Sequence, residues 1–153
     1  MPTHTETQVL PYTPQQMFDL VADVERYPEF LPWCRAARIL HREPGGMLAE
    51  LVISFKHLTE RYTSRVALNP PSETNRSGVI DVHMTHGPFE YLENRWRFMP
   101  RPDGGTQIEF FLDFKFRSRI LEMLIGAVYS KATQKMVSAF QQRAAVLYGK
   151  VQP

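Results

Sequence analysis

The sequence has 153 residues, and its 18 lysines and arginines nearly balance 16 acidic residues, for a formal charge of +2. So even a balance demands no polyelectrolyte partner. A content of 43% hydrophobic and 12% aromatic residues is enough for a sizeable core, and the expectation is one domain over residues 1–153. Cys34 is the only cysteine, which excludes an internal disulfide and any cysteine-based metal cluster and suits a reducing compartment. The start, Met1-Pro2-Thr3-His4-Thr5-Glu6, has neither an apolar signal core nor the look of a transit peptide. The longest apolar run, near Met123 to Val128, falls far short of the roughly 20 residues that cross a bilayer. The expected place is the cytoplasm, with the inner face of the membrane in reach.

Thr5 to Tyr12 reads as a first strand, mostly Thr, Glu and Gln with Val9 and Leu10 near its end. Thr13-Pro14-Gln15-Gln16 is a helix start, with Thr13 as cap, Pro14 in the first helical position and Gln16 completing a capping box. Met17, Leu20, Val21 and Val24 then share one helical face, flanked by Phe18.

Cys34 to Glu43 reads as a strand, and Pro44-Gly45-Gly46 turns it into a second strand, Met47 to Phe55. Lys56-His57 is expected as the next tight turn. From Leu58 to Leu68 alternation puts Glu60, Tyr62, Ser64 and Val66 on one face. Ser77 to Thr85 and Tyr91 to Met99 follow, the latter with Leu92, Asn94, Trp96 and Phe98 inward; the turn between them, His86-Gly87-Pro88-Phe89, carries an aromatic at its tip. The clearest strand alternates Ile108, Phe110, Leu112, Phe114 and Phe116 with polar residues. Ser118 to about Tyr148 then reads as one long helix with a stripe of Leu121, Ile125, Val128, Ala132, Met136, Phe140, Ala144 and Leu147, ended by Gly149. Consecutive strands with hairpin-length connections imply an α+β architecture, a curved antiparallel sheet closed by the last helix.

Between the first helix and the following strand lies Ala22-Asp23-Val24-Glu25-Arg26-Tyr27-Pro28-Glu29-Phe30-Leu31-Pro32-Trp33-Cys34. Each proline fixes its own φ and biases the residue before it, so a short, rigid, kinked element is expected. Its Tyr, Phe, Leu and Trp need cover.

The element order, the motif Asp23-Val24-Glu25-x-Tyr27-Pro28-x-Phe30-Leu31-Pro32-Trp33-Cys34, and the shorter Gly87-Pro88-Phe89 and Trp96-x-Phe98 resemble the coenzyme Q-binding branch of the START-like, or polyketide cyclase/dehydrase, superfamily, which includes bacterial RatA-type proteins. The resemblance covers essentially the whole chain. It implies a helix-grip (START-like) fold of about seven strands wrapped around a long C-terminal helix, with one or two short helices after the first strand. It further implies non-enzymatic binding of ubiquinone (coenzyme Q) or a related isoprenoid lipid in support of respiration, without a covalent cofactor. For RatA-type members it implies association with the large ribosomal subunit and hindrance of subunit joining.

Three functions follow as alternatives: a quinone-binding module, a ribosome-association inhibitor, and a polyketide cyclase-like enzyme using Glu60 as a base. For the first, a cavity of roughly 300–1,000 Å³ is expected between sheet and last helix. Its expected lining is Tyr27, Phe30, Leu31, Trp33, Tyr62, Ser64, Phe89, Asn94, Trp96, Leu121, Leu124, Ile125 and Val128, with Tyr62, Ser64 and Asn94 as donors to a carbonyl. The start of the last helix is apolar nearly all round, so beyond its core stripe it needs a ligand, a peripheral membrane contact or a protein partner. Lys115, Arg117, Arg119, Lys131 and Lys135 are the basic residues for a ribosomal contact, and DNA is not an expected partner. Cys34 is expected as a small buried hydrophobe, and no metal site is expected at His83-x-x-His86.

Overall fold

The computed structural model describes residues 3–55, 58–126 and 129–149, with the side chains of 55, 58 and 125–132 outside that description. The expected turn at Lys56-His57 therefore lies outside the described residues.

Strand β1, Thr3–Leu10, is followed by α1, Pro14–Ala22, and a 3-10 segment, Val24–Glu29. Six strands come next: β2, Cys34–Glu43; β3, Gly46–Phe55; β4, Leu58–Asn69; β5, Gly78–His86; β6, Phe89–Pro100; and β7, Thr106–Phe116. Helices α2, Arg119–Gly126, and α3, Tyr129–Tyr148, complete the chain order, so the stretch expected as one helix from Ser118 to about Tyr148 comes as two helical elements, with residues 127–128 outside the description. Every strand pairs antiparallel with its neighbour in the order β1-β7-β6-β5-β4-β3-β2, so the first strand closes against the last and leaves β1 and β2 as the edges. This is the expected helix-grip, START-like fold.

Local chemistry explains the elements. The Thr13 hydroxyl accepts the Gln16 N–H at 3.1 Å and the Gln16 side chain accepts the Thr13 N–H at 2.9 Å, the reciprocal capping box that Pro14 helps to start. Met17, Phe18, Leu20 and Val21 bury the inner side of α1. Gly149, at φ +80°, ends α3 in the left-handed conformation, and its carbonyl accepts the Tyr12 hydroxyl at 2.9 Å. The Tyr148 hydroxyl donates to the Gln16 carbonyl at 3.0 Å, so the end of α3 is tied to both β1 and α1 flanks.

Two placements differ from the expected pattern, one on α3 and one on β1. Leu147 is half exposed, whereas Val137 and Thr133 are buried in its stead. At about 100° per residue Thr133, Val137, Phe140 and Ala144 fall on one narrow face of α3, and Leu147 stands on its flank. Strand β1 runs Thr3–Leu10 rather than from Thr5, and turns His4, Glu6 and Gln8 inward while Val9 is exposed. Those polar groups satisfy one another: His4 Nε2 lies 2.9 Å from Glu6 Oε1, Gln8 donates to Glu6 at 2.6 Å, and Gln141 of α3 donates to Gln8 at 3.0 Å. A polar edge strand thus fits beneath the wet side of the helix.

Candidate functional site

The inner side of the sheet carries two adjoining apolar clusters. The larger joins α1, the 3-10 segment and α3 through Met17, Val21, Leu31, Met47, Ile80, Trp96, Phe98 and Phe140. The smaller consists of Phe89, Leu92, Phe114, Phe116 and Leu121. Between the sheet, the Tyr-Pro segment and α3 remains a cavity of about 150 Å³. A larger hollow of about 630 Å³ lies over the outer face, but it is an open furrow lined by Asp81, Glu93, Arg95, Arg97 and Glu109. There Arg95 meets Asp81 at 2.6 Å and Arg97 meets Glu109 at 3.1 Å, so both arginines of this face are already paired.

The Tyr-Pro segment forms one wall of the inner cavity. Its prolines stop regular helix, and the chain is caught by Leu31 N–H donating to the Tyr27 carbonyl at 2.8 Å and by Ser54 N–H donating to the Trp33 carbonyl at 2.8 Å. Tyr27, Leu31 and Trp33 line the cavity, and Tyr27 donates its hydroxyl to the Val21 carbonyl. That hydroxyl is thereby occupied, and burial pushes its pKa well above that of an ordinary phenol. Phe30 does not line the cavity; it packs edge-on against Phe140 at 5.1 Å and lies under the Arg143 guanidinium. Arg143 also holds Glu29 at 2.8 Å, which clips this wall to α3.

The opposite wall is the sheet. Tyr62, Ser64, Asn94 and Trp96 line the cavity with Ile53, Leu51 and Leu112. Ser64 is only 3% exposed, and its hydroxyl oxygen is shut off from solvent with no hydrogen-bond partner among the described residues. A buried orphan hydroxyl costs on the order of 1–3 kcal/mol, so the position begs an occupant that accepts or donates a hydrogen bond. Two residues away on the same face of β4, the Tyr62 ring is held edge-on by Phe89 at 5.5 Å. Desolvation raises the Tyr62 phenol pKa, keeping it a neutral O–H donor.

Asn94 has a different task from the one its inward phase implied. Its amide donates to the Phe111 carbonyl at 2.8 Å and its oxygen accepts the Trp96 indole N–H at 3.1 Å. It therefore orients Trp96, whose ring meets Phe110 at 4.8 Å and Phe140 at 5.0 Å. Alternation could show that Asn94 points inward but not that a neighbour on its own strand would use it.

Phe89 is not at a turn tip but 3% exposed, within the smaller cluster and stacked on Phe116 at 4.7 Å. Gly87 explains why Gly-Pro-Phe stands here. At φ +153° a Cβ on Gly87 would meet the Tyr62 Cβ at 2.5 Å, so only glycine lets this turn lie on β4 and deliver Phe89 behind the Tyr62 ring. Leu121 is buried in the same cluster rather than in the cavity, and Leu124 is exposed. The side chains of Ile125 and Val128 lie outside the described residues. Cavity residues outside the expected lining include Val24, Ala49, Met136 and Phe140; the stripe positions of Met136 and Phe140 were the available signal.

Glu60 sits across from Ile53 on β4, half-buried, and is not part of the cavity lining. Cys34 lines the cavity with its thiol 3.5 Å from the Ala36 carbonyl, and burial pushes its pKa up to about 11, which makes it an inert apolar surface at neutral pH. His83 lies 3.9 Å from Glu93 and His86 bonds the Thr85 hydroxyl, and no group of three metal-ligating side chains occurs among the described residues.

A curved sheet closed on a C-terminal helix, with an apolar ring-lined cavity between them, is the START-like fold. The chain belongs to the family described as polyketide cyclase / dehydrase and lipid transport, which matches residues 10–141. Over 138 residues it is 47% identical to the ribosome association toxin RatA of Rickettsia prowazekii, covering 90% of this chain and 92% of that one. It is 34% identical over 151 residues to the mitochondrial coenzyme Q-binding protein COQ10 homolog B of Xenopus laevis, covering 96% of this chain and 59% of that one. The solution structure of the 18 kDa protein CC1736 from Caulobacter crescentus superposes with a TM-score of 0.73 at 40% identity, covering 98% of this chain and all of the other.

Proposed function

We propose that residues 1–153 act as one non-enzymatic binding domain that holds the ring of an isoprenoid quinone of the ubiquinone class in the inner cavity, in support of respiratory electron transport. The observation that carries this reading is the orphan Ser64 hydroxyl in an otherwise apolar chamber, beside the neutral Tyr62 phenol. A quinone carbonyl accepts hydrogen bonds and donates none, so these two hydroxyls complement it; the remaining walls suit a flat ring. A cavity of about 150 Å³ is smaller than an apolar-ligand site of 300 Å³ or more, because Tyr27, Trp96 and Phe140 fill part of the space. Volume of that order holds a single six-membered ring, so the isoprenoid tail lies beyond it. The name of the Xenopus relative, a coenzyme Q-binding protein, agrees with this chemistry. Glu60, the base expected for catalysis of the cyclase kind, stands apart from the cavity lining, which favours the binding reading.

The test is a titration with a short-tailed ubiquinone, read by quenching of Trp33 and Trp96 fluorescence, both of which line the cavity. Saturable quenching at one equivalent is expected; quenching that rises linearly without saturation contradicts the reading.

A second reading, association with the large ribosomal subunit, is favoured by the 47% identity to a ribosome association toxin. It is tested by sedimentation with purified large subunits through a gradient: co-migration supports it, and a protein left at the top of the gradient contradicts it. Both roles fit one chain, because the cavity is internal and a ribosomal contact is external.

A further inference from the structure

Helix α2 has two unlike sides. Leu121 is buried against Phe116 and Phe89, and Glu122 turns back so that its carboxylate accepts the Phe116 N–H at 2.7 Å. On the other side Ile120 is 71% exposed, Met123 78% and Leu124 42%. At helical spacing these three share an arc of about 100°, so they form one face and not scattered side chains. Arg117 and Arg119 stand at the foot of that face, both exposed. Arg117 is steadied by its Nε donating to the Phe89 carbonyl at 2.9 Å, and neither arginine has an ion pair among the described residues. Lys115 is committed to Glu90 at 3.4 Å. The one carboxylate of α2, Glu122, is thus drawn away from a face that presents apolar side chains beside two unneutralised cations.

We infer that this face of α2 docks the protein on an anionic lipid bilayer, with Ile120, Met123 and Leu124 entering the acyl boundary and Arg117 and Arg119 meeting the headgroup phosphates. The physics is that of a short interfacial amphipathic helix, in which a few apolar side chains and nearby cations act together. Charge complementarity selects this occupant. A second copy would set two pairs of arginines against each other, and three side chains fall well short of the roughly 20–30 residues a side that a stable interface uses. No helix among the described residues is long and apolar enough to cross a membrane, so the contact is peripheral. The inference goes beyond quinone binding and does not depend on it.

The experiment is flotation of the full chain with quinone-free vesicles, either pure phosphatidylcholine or equal parts phosphatidylcholine and phosphatidylglycerol. The protein is expected to float with the mixed vesicles and to stay behind with the neutral ones. Met123→Asp and Arg119→Glu are each expected to lower the bound fraction about tenfold, with an unchanged melting temperature because both side chains face solvent. Equal flotation on both vesicle types, or wild-type binding by Met123→Asp, overturns the inference. Conversion of a dimer to a monomer by Met123→Asp would assign the face to a second copy. Loss of co-sedimentation with ribosomal subunits, with vesicle binding intact, would assign it to the ribosome. Because the vesicles contain no quinone, failure here leaves the titration of the cavity intact, and the reverse holds equally.

Discussion

Replacing Ser64 with alanine is expected to make the ligand-free protein more stable and its ligand weaker at the same time. The hydroxyl is buried without a partner, so its removal relieves a desolvation penalty on the order of 1 kcal/mol. For a chain of this size that corresponds to a rise in melting temperature of about 2–4 °C. The same change removes a donor to the quinone carbonyl and is expected to weaken binding about tenfold in the fluorescence titration. Ser64→Thr, which keeps the hydroxyl, is expected to retain most of the affinity. This opposition is what separates an anchor from a structural serine: an alanine variant that melts lower and binds unchanged would show that the hydroxyl serves the fold alone. A residue kept at a cost to stability marks a place where function holds it.

The second large effect is expected at Trp96. Its ring is stacked on Phe98 at 6.2 Å, meets Phe110 and Phe140 edge-on, and is oriented by Asn94. Truncation to alanine opens a void where the sheet meets α3 and is expected to cost about 3–5 kcal/mol, read as a lower urea midpoint with an unchanged slope. It also removes a cavity wall, so binding should be lost. Trp96→Phe is the informative companion. It keeps most of the ring but takes away the indole N–H, leaving the Asn94 oxygen without that donor, and is expected to cost about 1–2 kcal/mol. A phenylalanine variant as stable as the parent would mean that Asn94 does not position this side chain.

Most of the fold was legible because its strands have one buried face, and a period of two leaves little freedom in phase. β6 and β7 show this best, with Trp96, Phe98, Ile108 and Phe110 all buried as their alternation required. The capping box marked the start of α1 and Gly149 the end of α3, both from local chemistry, whereas nothing in the apolar stripe marked where α2 ends and α3 begins. What alternation cannot supply is position along a strand relative to the gap in the core. Phe89 and Leu121 are inward, yet they fill the smaller cluster and leave the cavity to Tyr62 and Ser64. Nor does it reveal which inward polar group is already occupied: Asn94 and Ser64 read alike in sequence, but one is engaged on both ends of its amide and the other is orphaned. β1 was the faintest strand because its inward residues, His4, Glu6 and Gln8, form a polar seam with one another and with α3, which a hydrophobic pattern does not register. The doubly apolar stretch that forms α2 was visible, but only the burial of Leu121 beside the exposure of Ile120 and Met123 divided it into a core side and a free side.

The most direct test of the account is to purify the protein without detergent, extract it with organic solvent, and identify the extract by mass spectrometry. A quinone with an isoprenoid tail at near one equivalent, much reduced in Ser64→Ala and absent from Trp96→Ala, is the predicted result. An extract free of quinone, both as purified and after incubation with quinone-containing vesicles, would contradict it and leave the cavity as a packing gap in the core.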